Sequence, residues 1–223
     1  MKKQSGFTLI ELAIVLVIIG LLLGGVLKGQ ELINSAKVKN MATDFKNIQV
    51  YIYGYQDKFK ALPGDDAAVA NHVTGGTAGT TGTLGNGVIQ GNWNTTTNGD
   101  ESCVFWQHVR LAGLAPGPTT VDCTAGNTYL PKNADGGQIG IQSVSGFATI
   151  TQNAAGAASV MAGAYVVCSA GVLGKFAKQL DTTMDDGETN TGSMRVADPA
   201  NAGRSITSAG VADATPYTVC MAF

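Results

Sequence analysis

A run of 21 residues, Phe7 to Leu27, carries a single charge, Glu11, and is apolar around its whole circumference. As an α-helix it measures about 30 Å, one hydrocarbon thickness, at about 1.5 Å per residue. A helix with no wet face must be surrounded by lipid or by other helices. The acid is the anomaly. A carboxylate at the middle of a membrane helix costs about 2.5–3.5 kcal/mol, and less towards its end, so a chain that keeps one has a partner for it. A cleaved secretory signal would end in a small-x-small site. Here GQELINSAKVKN carries the helix onward instead. A plain membrane anchor explains the length and leaves Glu11 unexplained.

The segment KKQSG-FTLIE, followed by that apolar helix, resembles the leader of type IV prepilins and type II secretion pseudopilins. The resemblance implies a leader of residues 1–6, cut after Gly6 by a prepilin peptidase, with Phe7 becoming an N-methylated terminus. Cleavage frees an α-amino group with a pKa of about 7.7–8, cationic at neutral pH. Glu11 of one subunit is then expected to pair with the Phe7 amine of its neighbour. An unpaired buried charge costs several kcal/mol, so the pair acts mainly on register. Gly20 and Gly24 form GxxxG, which permits close helix contact. In the family such glycines are a weak helical stretch, and many pilins carry Pro where this chain has Lys28.

After Leu27 the pattern becomes one-sided. Val38, Met41, Phe45, Ile48, Ile52, Tyr55, Phe59 and Leu62 recur at alternating steps of 3 and 4, one face of an amphipathic helix. Pro63 restricts Leu62, so the helix is expected to stop near Ala61. Unbroken from Phe7, it would be on the order of 80 Å long. Residues 63–99, rich in Gly, Thr and Asn, read as irregular loop. Residues 101–114 read as a short amphipathic helix capped by Asp100, with His108 as a packing residue. Strands are expected at Gln138 to Val144, Phe147 to Gln152, Gly163 to Ala170 and Pro216 to Phe223, with a helix at GKFAKQLDTTM. The expected fold class is α+β: a pilin-like roll, its long N-terminal helix packed on a small antiparallel sheet. The divisions are 1–6 leader, 7–28 membrane or filament-core helix, 29–62 amphipathic half of that helix, and 63–223 β-rich head.

Four cysteines in a domain outside the cytoplasm point to two disulfides, and three pairings are possible. Cys103–Cys123 is expected because it brackets one loop-rich segment, and Cys168–Cys220 because it ties down the C-terminus. Asp181, Asp185 and Asp186, with Glu188 beside them, are candidate oxygen ligands for Ca²⁺, although Asp-Asp-Gly is also ordinary turn chemistry. Some pseudopilins bind calcium through a C-terminal acidic loop. ALPGDD, FWQHVRLAGL and DDGETNTGSMRV are similar to segments of prepilin-like secretion components. Those relatives are richer in Asp around residues 85–87, where Asn86 stands here.

No GxSxG, HExxH or phosphate-binding glycine loop is present, and the chain is read as a non-enzyme without a cofactor beyond that calcium. A net charge of −2 provides no basic field for nucleic acid. The expected role is a structural subunit of a type IV pilus or a secretion pseudopilus. Its implied partners are other copies and other pilins, the prepilin peptidase, and an inner-membrane assembly platform with a cytoplasmic ATPase. Before assembly it would be a single-pass inner-membrane protein with a periplasmic head, and afterwards part of a periplasmic or extracellular filament. The alternative is a minor pilin whose long loop binds a surface or ligand.

Overall fold

The computed structural model describes residues 8–124, 126 and 128–223. Its first helix, α1, runs Leu9–Phe59, and the chain divides into two compact units between Lys37 and Val38. In the first unit every described residue from Thr8 to Lys28 is exposed. The helix passes Gly20, Gly24 and Gly25 without interruption.

The second unit is an α+β head. Five strands, β1 Ile139–Ser143, β2 Tyr165–Leu173, β3 Met194–Asp198, β4 Asn201–Ser205 and β5 Pro216–Ala222, form one sheet in the order β1-β2-β5-β3-β4. Every pairing is antiparallel. Side chains alternate between the faces of a strand, and here both faces are buried. On one face Ile139, Ile141, Val167, Val196, Tyr217 and Val219 share a core with Val38, Met41, Phe45, Ile48 and Ile52 of α1. From Val38 to Ile52 the periodicity of α1 is thus the seam against the sheet, while Tyr55 packs with Val69 and Val73. Phe105 and Val109 of α3 (Glu101–Leu111) and Phe176 and Leu180 of α4 (Gly174–Met184) complete that core.

On the opposite face Val166, Cys168, Cys220 and Ala222 pack with Trp93, Phe147, Ile150 and Met161. This corrects the expected strand at Phe147 to Gln152. Those residues are apolar because they cover the sheet. Ile150 is fully buried with φ 58°, a left-handed conformation that turns the chain. Only Gln152 bridges, in isolation, to Ala158 and Arg204. The β3–β4 hairpin was not expected; it turns at Pro199-Ala200, with the Ala200 amide donating to Asp198 Oδ1 at 2.9 Å.

Helix α1 ends two residues before the expected Ala61. Lys60 adopts φ 56° and its amide still reaches Gln56 O at 2.8 Å. A left-handed residue closing a helix is a usual C-terminal device, here one met by Lys instead of Gly. Helix α3 stops at Leu111, short of residue 114, and is buried on nearly all sides instead of one. Asp100 stands at its N-cap position, but its carboxylate makes no cap bond and accepts the Thr95 hydroxyl instead.

The 63–99 segment holds one short helix, α2 (Val69–His72), and is otherwise irregular yet pinned. Asp66 accepts from Tyr55 Oη at 2.7 Å and the Ala68 amide at 2.9 Å, and lies 2.6 Å from His72 Nδ1. His108 Nδ1 accepts the Gly64 amide at 3.0 Å, so Nε2 carries the proton and donates to Thr77 O at 2.8 Å. Burial holds this histidine below its usual pKa, which suits the neutral ring that the two bonds require. Its role is to fasten the loop to α3.

Candidate functional site: the exposed helix and an acidic cluster

The first site is α1 itself. From Leu9 to Leu27 it presents apolar side chains on every side, all exposed, and it is long and apolar enough to cross a membrane. Burying one large aliphatic side chain is worth about 1.5–3 kcal/mol, so such a surface has a strong drive to be covered.

Glu11 closes the start of α1. Thr8 precedes the first helical residue, and its amide and hydroxyl both donate to Glu11 Oε2 at 2.8 Å. The Glu11 amide returns a bond to Thr8 Oγ1 at 3.3 Å. This is a capping box, legible as Thr-x-x-Glu, which satisfies amides at the helix start. Glu11 Oε1 accepts no bond among the described residues. One oxygen therefore closes the chain's own helix and the other is open. Gly6 and Phe7, the expected cleavage pair, lie outside the described residues.

The second site lies at the end of α4. One carboxylate oxygen from each of Asp181, Asp185 and Asp186 falls within 4.8 Å of the others. Asp185 Oδ2 accepts the Met194 amide at 2.7 Å. Asp186 accepts the Glu188 amide at 2.9 Å and the Thr191 hydroxyl at 2.7 Å. Asp181 differs: it is fully buried, and neither of its oxygens has a hydrogen-bond partner among the described residues. Burial, then the charges of Asp186 and Asp185, push its carboxyl up to about 7, and the nearby Gly187 amide offsets only part of this. Buried carboxylates are costly unless paired, and the donor chemistry here is that of a hard cation taking six to eight oxygens. The residues fit such an ion.

The cysteines stand in two fully bonded pairs. Cys103 of α3 joins Cys123 with Cα atoms 6.1 Å apart, fastening the segment after α3. Arg110 holds the same segment through the carbonyls of Pro116, Pro118 and Tyr129. Cys168 of β2 joins Cys220 of β5, which lie opposite each other in register.

Residues 1–27 match the family model described as the prokaryotic N-terminal methylation motif. That motif is the prepilin signature of type IV pilins and pseudopilins, a structural and not a catalytic class of chain. No curated protein and no solved structure matches this chain. The long helix on an antiparallel sheet is the α+β layout of a pilin fold.

Proposed function

We propose that this chain is a filament subunit of a type IV pilus or a type II secretion pseudopilus, cut after Gly6, N-methylated on Phe7 and polymerised through α1. The observation that carries this reading is the conjunction of the methylation motif with an apolar helix exposed from Leu9 to Leu27. Before assembly lipid covers that surface; in a filament, the helices of other subunits do. Glu11 meets the Phe7 amine of a neighbouring copy and sets the offset between them. The processing enzyme is a prepilin peptidase, and an inner-membrane platform with a cytoplasmic ATPase drives assembly. Mass spectrometry of the chain from cells containing that peptidase is expected to show a mature N-terminus at methylated Phe7. An intact Met1 would leave the chain as a membrane anchor.

Within the same reading, the head binds Ca²⁺ through Asp181, Asp185 and Asp186. Bound cation supplies the countercharge that Asp181 lacks. The pH dependence has a definite sign. A carboxyl raised from 3.8 to about 7 in the folded state stabilises the fold at low pH, and that contribution is lost as pH rises through 7. In chelator above that value, Asp181→Asn is therefore expected to melt at a higher temperature than the parent chain. Added calcium should raise the melting temperature of the parent only. Equal calcium responses of the two chains would dismiss the site.

A further inference from the structure

The sequence contains two Asn-Gly dipeptides, Asn86-Gly87 and Asn98-Gly99, and the fold treats them in opposite ways. Asn-Gly is the dipeptide most open to self-modification. The glycine amide nitrogen attacks the asparagine Cγ, and glycine presents no side chain to hinder it. A new C–N bond closes a succinimide. The Cγ–Nδ2 bond breaks, and ammonia leaves, taking the proton that the glycine nitrogen gave up. Water then opens the imide at either carbonyl, giving aspartate or isoaspartate.

Both asparagines are exposed. Their electrophiles are alike, because each side-chain carbonyl accepts one backbone amide. Asn86 Oδ1 accepts from Val88 at 2.9 Å and Asn98 Oδ1 from Cys123 at 2.7 Å. Such a bond polarises the carbonyl and stabilises the oxyanion of the addition step.

The nucleophiles differ. The Gly87 amide donates to Asp65 Oδ2 at 2.6 Å, and the Gly85 and Asn86 amides donate to Oδ1 of the same carboxylate. Asp65 is itself buried and held in that nest of three donors. Attack by Gly87 nitrogen must break a short, charge-assisted bond and move the backbone off its anchor. The Gly99 amide donates to no residue among those described, while its carbonyl accepts from Thr80 at 2.8 Å.

We infer that Asn98 is a site of spontaneous deamidation in the folded protein, and that Asp65 clamps Gly87 so as to suppress the same reaction at Asn86. The product at residue 98 adds a negative charge to a stretch that already contains Asp100 and Asp122. In the isoaspartate form it lengthens the main chain where the 95–99 loop meets the Cys123 segment.

The parent chain decides the matter by itself. Full-length protein in detergent is aged in mildly alkaline buffer, and peptide mass mapping follows the amide-to-acid conversion at both asparagines. Asn98 is expected to convert at least about tenfold faster than Asn86, the difference that one charge-assisted hydrogen bond carries. In the reduced, denatured chain the two rates should converge, because both sites are then free Asn-Gly. Asp65→Asn, checked for native disulfides by the same mapping, should bring Asn86 up towards the Asn98 rate. Equal rates at the two sites in the folded chain would overturn the inference. So would a slowing of Asn86 in Asp65→Asn, which would make that carboxylate a base and not a clamp.

Discussion

Replacing Glu11 with glutamine is expected to abolish filaments, whereas Thr8→Ala leaves them. The capping box makes this pair of substitutions informative. Glutamine keeps an oxygen that can accept from Thr8, so the helix start survives while the negative charge goes. Alanine at residue 8 removes the side-chain cap, at about 1 kcal/mol, and keeps the charge. In the proposed filament the neighbour's Phe7 amine would lose its counterion inside a helical core. An uncompensated buried charge costs about 3–5 kcal/mol, a factor of more than a hundred at every subunit added. The measurement is the yield and symmetry of sheared filaments by electron microscopy. Normal filaments from Glu11→Gln would remove charge pairing from the account. Loss in both variants would show that the cap at Thr8 is required in addition to the charge.

The second large effect concerns the Cys168–Cys220 bond. It closes a loop of 52 residues, for which the loss of chain entropy in the unfolded state is worth about 4 kcal/mol. Changing both cysteines to alanine should lower the melting temperature by about 8–16 °C in a head of this size. Removing Cys103–Cys123, whose separation is 20 residues, should cost less, about 3 kcal/mol. Thermal unfolding followed by circular dichroism ranks the two. The order would reverse if Arg110 and Tyr129 were insufficient to hold the Cys123 segment in place without its bond.

Long-range order was legible where a period or a composition was extreme. Alternating steps of 3 and 4 from Val38 onward identified the face of α1 that meets the sheet, and the dense apolar runs of β2 and β5 marked the two neighbouring strands. Periodicity failed where apolar character served another end. Phe147 and Ile150 look like strand residues because they are buried, but they belong to a cover whose backbone turns back at Ile150. Strand β4, Asn-Ala-Gly-Arg-Ser, has almost nothing apolar to announce it and is fixed by pairing with β3. Asp65 and Asp66 were noted as part of a resemblance, without a task. The task of Asp65 depends on amides 20 and more residues away, which no local pattern reveals, whereas Asp66 is held by Tyr55, Ala68 and His72 nearby in the chain. At Glu11 the local signal was present, since Thr-x-x-Glu is readable in the chain, and the electrostatic puzzle hid it.

The arrangement of the sheet has a bearing on how the protein resists a reducing environment. The Cys168–Cys220 bond is fully buried on the face covered by Trp93, Phe147, Ile150 and Met161. A thiol must touch sulfur to exchange with it. Attack therefore waits until that stretch of chain swings away, so the lifetime of the crosslink is set by how often its shelter opens, and a looser Phe147 or Ile150 would shorten it without altering either cysteine.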